Sequence, residues 1–134
     1  MDIQNNEYLA RFIPNEGWFN RGQVKGEAFR PRKDQGIFKT SVTRHDGQNK
    51  EEIKERGNVW ARMPRKKQIK FWGWADVRSG AVRTVSTIPA LDVESDTGNQ
   101  RDSNHANIIG WDLAIGQQMI QAEEVARQSK LFLI

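Results

Sequence analysis

Two sets of residues have types and spacing suited to chemistry. The first is cationic and aromatic. Arg62, Arg65, Lys66, Lys67 and Lys70 place five positive charges in nine positions with no acid among them, and Trp60, Phe71, Trp72 and Trp74 flank them. Cations neutralise phosphates, and an exposed ring stacks a base for about 1–3 kcal/mol, a combination suited to single-stranded nucleic acid or RNA. The plainer reading is a solvated turn at Met63-Pro64-Arg65-Lys66-Lys67 beside core tryptophans, because tryptophan is highly buried on average. The two readings divide on whether Trp72 and Trp74 face water together with Lys70.

The second set is polar. His45 stands beside Arg44 and Asp46, and His105 beside Asn104 and near Asn107. Brought into one cleft with Arg44 and Arg83, the two histidines supply an acid and a base for a small hydrolase or transferase acting on a phosphodiester or related substrate. A hydrogen-bonded structural histidine is the plainer reading of each. Ser41 precedes His45 by four residues, about 13 Å along a strand, too far for the proton transfer that a Ser–His pair needs. No phosphate-cradling glycine loop, dinucleotide fingerprint, HExxH or GxSxG occurs, so no cofactor is expected. The wide sequence separation of the histidines likewise gives no reason to expect a metal.

A third reading uses the same tryptophans differently. Trp72 and Trp74, or the apolar tail Leu131, Phe132, Leu133 and Ile134, would dock another protein, making the chain an adaptor or accessory subunit. Phosphate contacts weaken steeply with salt and a hydrophobic docking face does not, which separates the two binding readings.

The totals set the frame for these sites. At 134 residues the chain is expected to form a single globular domain over 1–134, with a core that needs neither disulfide nor structural metal. Zero cysteines remove thiol catalysis and Cys-based zinc sites, and weigh towards a reducing, cytoplasmic setting. No window is long and apolar enough for a membrane span, and the start of the chain lacks a basic segment followed by an apolar run; a soluble, unprocessed protein is expected. Net charge is +4, split unevenly. Residues 1–88 carry a balance of +8 and residues 89–134 one of −4, which suits either an anionic partner or an internal match between the two parts.

The elements that must position these residues follow from periodicity and turn chemistry. Tyr8 to Ile13 reads as a first strand, and Ile37 to Arg44 as a β-branched strand with Phe38 and Val42 on one face and Lys39, Ser41 and Thr43 on the other. Between them, Trp18, Phe19, Val24, Ala28 and Phe29 read as core plugs in a glycine-rich loop, followed by the basic cluster Arg30-Pro31-Arg32-Lys33. Asn49 with Glu52 three positions later predicts a capped helix over Lys50 to Arg56, stopped by Gly57-Asn58. Gln68 to Val77 alternates with period two, and Arg78-Ser79-Gly80-Ala81 predicts a tight hairpin returning through Val82 to Thr87, with Asp76 opposite Arg83 and Trp74 opposite Val85. Leu91 and Val93 are expected on an edge strand after Pro89. Residues 94–104 read as a mobile loop, His105 to Gly110 as a last buried strand, and the stretch after Asp112 as a helix buried through Ile115, Met119, Ala122 and Ala126. The tail from Leu131 is expected to pack on the sheet.

This order predicts an α+β fold: a mixed or antiparallel sheet of four to six strands with one or two covering helices. The spaced residues Phe29-x-Pro31, Ser41-Val42-x-Arg44, Ala81-Val82-Arg83 and His105-Ala106-x-Ile108 resemble a pattern in short bacterial proteins. The resemblance covers about two-thirds of the chain and implies a bacterial cytoplasmic protein, with Arg44, Arg83 and His105 as residues to watch. The reading carried forward is a small non-catalytic domain that binds single-stranded nucleic acid or RNA through a basic, aromatic hairpin.

Overall fold

The computed structural model describes residues 3–87, 89–96 and 103–134. Its frame is one antiparallel sheet. β1 (Tyr8–Ile13) lies at the centre between β5 (Ile37–His45) and β6 (Gly73–Arg78). Beyond β5 come β8 (His105–Ile109) and the edge strand β7 (Asp92–Ser95), and beyond β6 comes β9 (Lys130–Leu133). β4 (Arg32–Asp34) pairs with the start of β5, and β2 (Phe19–Asn20) with β3 (Gln23–Val24) forms a separate two-stranded ribbon. The α+β expectation holds. Two helices of 13 and 14 residues cover the sheet, α1 (Lys50–Arg62) and α3 (Ile115–Gln128), and α2 (Ser79–Arg83) is a five-residue turn.

Alternation along the strands gives the sheet two apolar faces. Leu9, Ile13, Val42, Ala75, Val77 and Ile108 point to the side covered by α3, α2 and the loop that carries Val24, Ala28 and Phe29. Ala10, Phe12 and Trp74 point to the other side, where Ile53 of α1 and Phe71 close over them. Burial on both faces explains why β1 reads as a nearly continuous apolar run rather than an alternating one.

The predicted hairpin is not formed. Gln68 to Phe71 stay outside the ladder, Trp72 bonds to Ile13 and Ile134 through its backbone, the strand begins at Gly73, and Ser79 starts a helix. The cause is competition for backbone groups. Both edges of β6 are already taken, by β1 and β9, so Val82 to Thr87 has no ladder to join. The segment before β1 also grips the start of α2: Ser79 N–H donates to Glu7 O at 2.9 Å, Gly80 N–H to Asn5 O at 3.0 Å, and the Ser79 hydroxyl to Gln4 O. Asp76 therefore meets His45 rather than Arg83, and Trp74 sits across from Phe12 and Phe132 rather than Val85.

Two helix expectations also change. Gly57 does not stop α1, which runs on to Arg62 and buries Gly57 in its middle, because the ring of Phe71 packs against that position. α3 is rotated from the predicted stripe. Ile115 and Met119 are exposed, and Gln118, Gln121, Ala122, Val125 and Ala126 face inward. Gln121 earns its buried place by bonding: its Oε1 accepts Asp112 N–H at 2.9 Å and its Nε2 donates to Pro89 O and Gly110 O. Asp112 caps no helix residue directly; Ala114 is the N-cap, and Asp112 Oδ1 accepts Ala114 N–H.

The first strand, the β5 strand and its facing, and the tail packed on the sheet, here as β9, are as expected; the edge strand holds Val93 but starts at Asp92, leaving Leu91 before it. His105 to Ile109 is a buried strand but β9 follows it. Of the loop expected over residues 94–104, residues 97–102 lie outside the described residues; Glu94 and Ser95 belong to β7.

Candidate functional site

α1 lies across one face of the sheet and leaves a cleft along each flank. The cleft on the β5 and β8 side encloses about 530 Å³. Its apolar wall comes from Phe12, Val59, Trp60 and Met63, and its polar floor from Ser41, Thr43, Asn104 and His105. Period two puts the floor residues together, since Ser41 and Thr43 point to the same face of β5 and Thr43 pairs with His105 across the ladder.

His105 is oriented by a partner that the sequence reading passed over. Its Nδ1 lies 2.8 Å from Asp96 Oδ2. A carboxylate only accepts, so the ring proton belongs on Nδ1 and the lone pair on Nε2. Among the described residues Nε2 has no hydrogen-bond partner. His45 differs. Gly47 N–H donates to its Nδ1 at 3.0 Å, which puts the proton on Nε2, and Nε2 donates to Asp76 Oδ1 at 2.8 Å. Both ring nitrogens are spent, and Tyr8 stacks on the ring at 5.5 Å. Gly47 adopts a left-handed φ of 83° with Tyr8 Cε2 2.6 Å from where a Cβ would stand, so only glycine places that N–H.

The residues expected to join the histidines in a catalytic cleft are not brought together. His105 lines the β5 and β8 flank of α1, and His45 lines the β6 and β9 flank. Arg44 points to the opposite face of the sheet, where it pairs with Glu7 at 2.8 Å. Arg83 belongs to α2, paired with Asp92 at 2.7 Å and donating to Asn5 Oδ1. The four-residue acid–base site is set aside.

The basic and aromatic set is rearranged in the same way. Trp74 is only 2 % exposed and lies flat on Phe132, with centroids 5.1 Å apart and planes 14° apart. Trp72 is half-buried against Phe19, and Lys70 Nζ sits 4.2 Å over its ring. Neither indole projects freely into water with the lysines, which corrects the expected binding face. The ring that stands beside the basic run is Trp60, late in α1. Phe12 packs on it at 5.3 Å, and the Arg65 guanidinium lies 5.3 Å over it while donating to Ala61 O at the helix end. Arg62 is loosely paired with Glu55 at 3.7 Å. Lys66 and Lys67 are exposed, and among the described residues neither they nor Arg65 and Lys70 form an ion pair.

The tail does not stand free as a docking segment. Leu131 and Phe132 are half-buried in β9, and Leu133 and Ile134 are exposed. Larger apolar exposure occurs at the start of α3, at Leu113 and Ile115, 81 % and 71 % exposed. An unexpected half-buried charge is Arg11. Its Nε donates to Ala28 O at 2.8 Å and its Nη1 to Ser41 O at 3.0 Å, and the side chain lies over Trp18. Burial, with Arg32's charge nearby, lowers its guanidinium to about 10.

Among the described residues no group of three or more His, Asp or Glu side chains is placed to hold a metal ion. No helix among them is long and apolar enough to cross a membrane. No protein-family model, curated protein or solved structure matches the chain.

Proposed function

We propose that this chain is a cytoplasmic binding domain for single-stranded nucleic acid, RNA included, and that the cleft between Trp60 and His105 receives a base. One observation carries the reading: a cleft with an indole wall and a polar floor opens where Arg65, Lys66 and Lys67, all without a carboxylate partner among the described residues, leave α1. An arginine stacked on an indole presents a flat cationic platform to a base, and the two following lysines suit phosphates on either side. The polar floor supplies groups that can bond a base edge: the Ser41 hydroxyl and the Nε2 of His105. Trp60 takes the stacking role that the sequence assigned to Trp72 and Trp74.

The test is binding of a fluorescent single-stranded oligonucleotide, read by anisotropy across a salt series. The expected result is a steep log–log loss of affinity with salt, a slope made smaller by about 1.4 in Lys66→Ala/Lys67→Ala, at roughly 0.7 per phosphate contact. Binding that ignores salt, or that survives both Trp60→Leu and the double lysine variant, overturns the reading and moves weight to protein docking.

A second reading has its own observation. Asp96 fixes the tautomer of His105 and leaves Nε2 as a lone-pair nitrogen lining the same cleft, the arrangement of a general base. Under that reading Nε2 takes the proton of an attacking water or ribose 2′-hydroxyl and a bound strand is cleaved rather than held; His105→Ala then abolishes cleavage, whereas a strand merely held stays intact with the parent protein.

A further inference from the structure

We propose that the second cleft, on the β6 and β9 flank of α1, is a binding site for a phosphate monoester. It encloses about 510 Å³, and it shares no lining residue with the cleft assigned to the base, so it stands without that reading.

Charge is the first support. Lys50, Arg78 and Lys130 line the cleft against one acid, Asp76, whose Oδ1 already accepts from His45. None of the three cations has a carboxylate partner among the described residues. Lys50 Nζ and Lys130 Nζ both lie over the ring of Phe132, at 4.5 Å and 5.2 Å, and Arg78 lies over Tyr8, donating to its hydroxyl at 2.9 Å. Like charges drawn to one hollow repel each other and leave a field that a multivalent anion relieves.

The second support is independent of charge. Trp74 lines this cleft, and its Nε1–H is enclosed in the protein without an acceptor, the sole buried side-chain polar atom so placed among the described residues. A buried donor left unmet is costly, and a shift of the indole as the ligand enters would give it the oxygen that the protein does not supply. A phosphate monoester carries nearly two negative charges near neutral pH and acceptors on three oxygens. It answers three cations and a donor, where a single carboxylate leaves most of the charge unmatched. The rings of Tyr8 and Phe132 give the rest of a small phosphorylated molecule an apolar wall. The same chemistry occurs at the 5′-phosphate end of a nucleic-acid strand.

The experiment follows the Trp74 indole N–H resonance in 15N-labelled full-length protein, assigned by its absence from Trp74→Phe. Inorganic phosphate is titrated in, with acetate as the monovalent control. Phosphate is expected to move that resonance at concentrations at least about tenfold below acetate, and Lys50→Met/Lys130→Met, whose melting curve confirms folding, is expected to weaken the response about tenfold. A 5′-phosphorylated oligonucleotide that outcompetes phosphate, while its unphosphorylated twin does not, identifies a strand end as the source; phosphate competing equally with both identifies a small phosphorylated molecule. An unmoved Trp74 resonance, an equal response to acetate, or an unweakened double variant overturns the proposal.

Discussion

The ring of Phe71 occupies the space that any side chain at Gly57 would enter: a β-carbon there stands 2.2 Å from Phe71 Cζ. Glycine in a helix interior ordinarily weakens it by about 1 kcal/mol relative to alanine. Here the order reverses. Gly57→Ala is expected to destabilise the fold by about 1–3 kcal/mol, because overpacking outweighs the gain in helix propensity. Urea melts of Gly57→Ala, and of Gly57→Ala with Phe71→Leu, check this; recovery in the double variant attributes the loss to the ring.

The two tryptophans of β6 and its approach separate in the same kind of measurement. Trp74 is enclosed between Phe12 on one neighbouring strand and Phe132 on the other, so Trp74→Ala is expected to lose about 3–5 kcal/mol. Trp72 touches Phe19 and Lys70 from a half-buried position, and Trp72→Ala loses clearly less. Equal losses would contradict the packing described.

Acid weakens the contact between α2 and the edge strand β7. The hydrogen bond from Arg83 holds the Asp92 carboxyl below its ordinary 3.8; burial opposes this, and the Val93 N–H and the Arg83 charge assist it. A lowered folded value means stability present above the ordinary value and lost as pH falls through the folded one. Melting temperatures of the protein and of Asp92→Asn should therefore differ at neutral pH, draw together as pH falls below the ordinary 3.8, and meet only below the lowered folded value, where the carboxyl is protonated in both states.

Rotation of α3 gives a contrast along one helix. Ile115→Lys and Met119→Lys are expected to stay within about 0.5 kcal/mol of the parent, as exposed substitutions do, whereas Ala122→Lys buries a charge and unfolds the domain. Gln121→Leu strands the Asp112 N–H and two carbonyls, for a loss of about 1–3 kcal/mol. Thermal melts of the four variants decide it.

Strands with strong β-branched or apolar runs are legible in the sequence: β1, β5, β8 and, at Val93, β7; the packing of the tail on the sheet is legible as well. So is the cap of α1, where Asn49 Oδ1 accepts Glu52 N–H at 3.0 Å. What stayed hidden depends on partners distant in the chain. Ser79 to Arg83 has the composition of a tight turn, and nothing local announces that Glu7, Asn5 and Gln4 will take its backbone and hydroxyl bonds. Gly57 reads as a stop until Phe71 arrives from the next loop. At the candidate clefts, His105 is visible as a type of residue, but Asp96, Tyr8, Lys50 and Lys130 are not, since only the pairing of β7 with β8, and of β1, β6 and β9 beneath α1, gathers them. Trp60 carried a usable signal, lying two residues before the basic run, and was passed over for the tryptophans of a hairpin that does not form.

The strand order carries a kinetic consequence. The central strand comes first in the chain, yet its pairing with β6 joins Tyr8 to Arg78, 70 positions away, and β9 adds last at the far edge. Among the described residues, only the β4–β5 and β7–β8 ladders of the large sheet join strands close in sequence. Closing such long loops before their contacts reward it raises the barrier, so this chain should refold more slowly than a helical bundle of equal size, with unpaired strand rims open to mispairing in the interval.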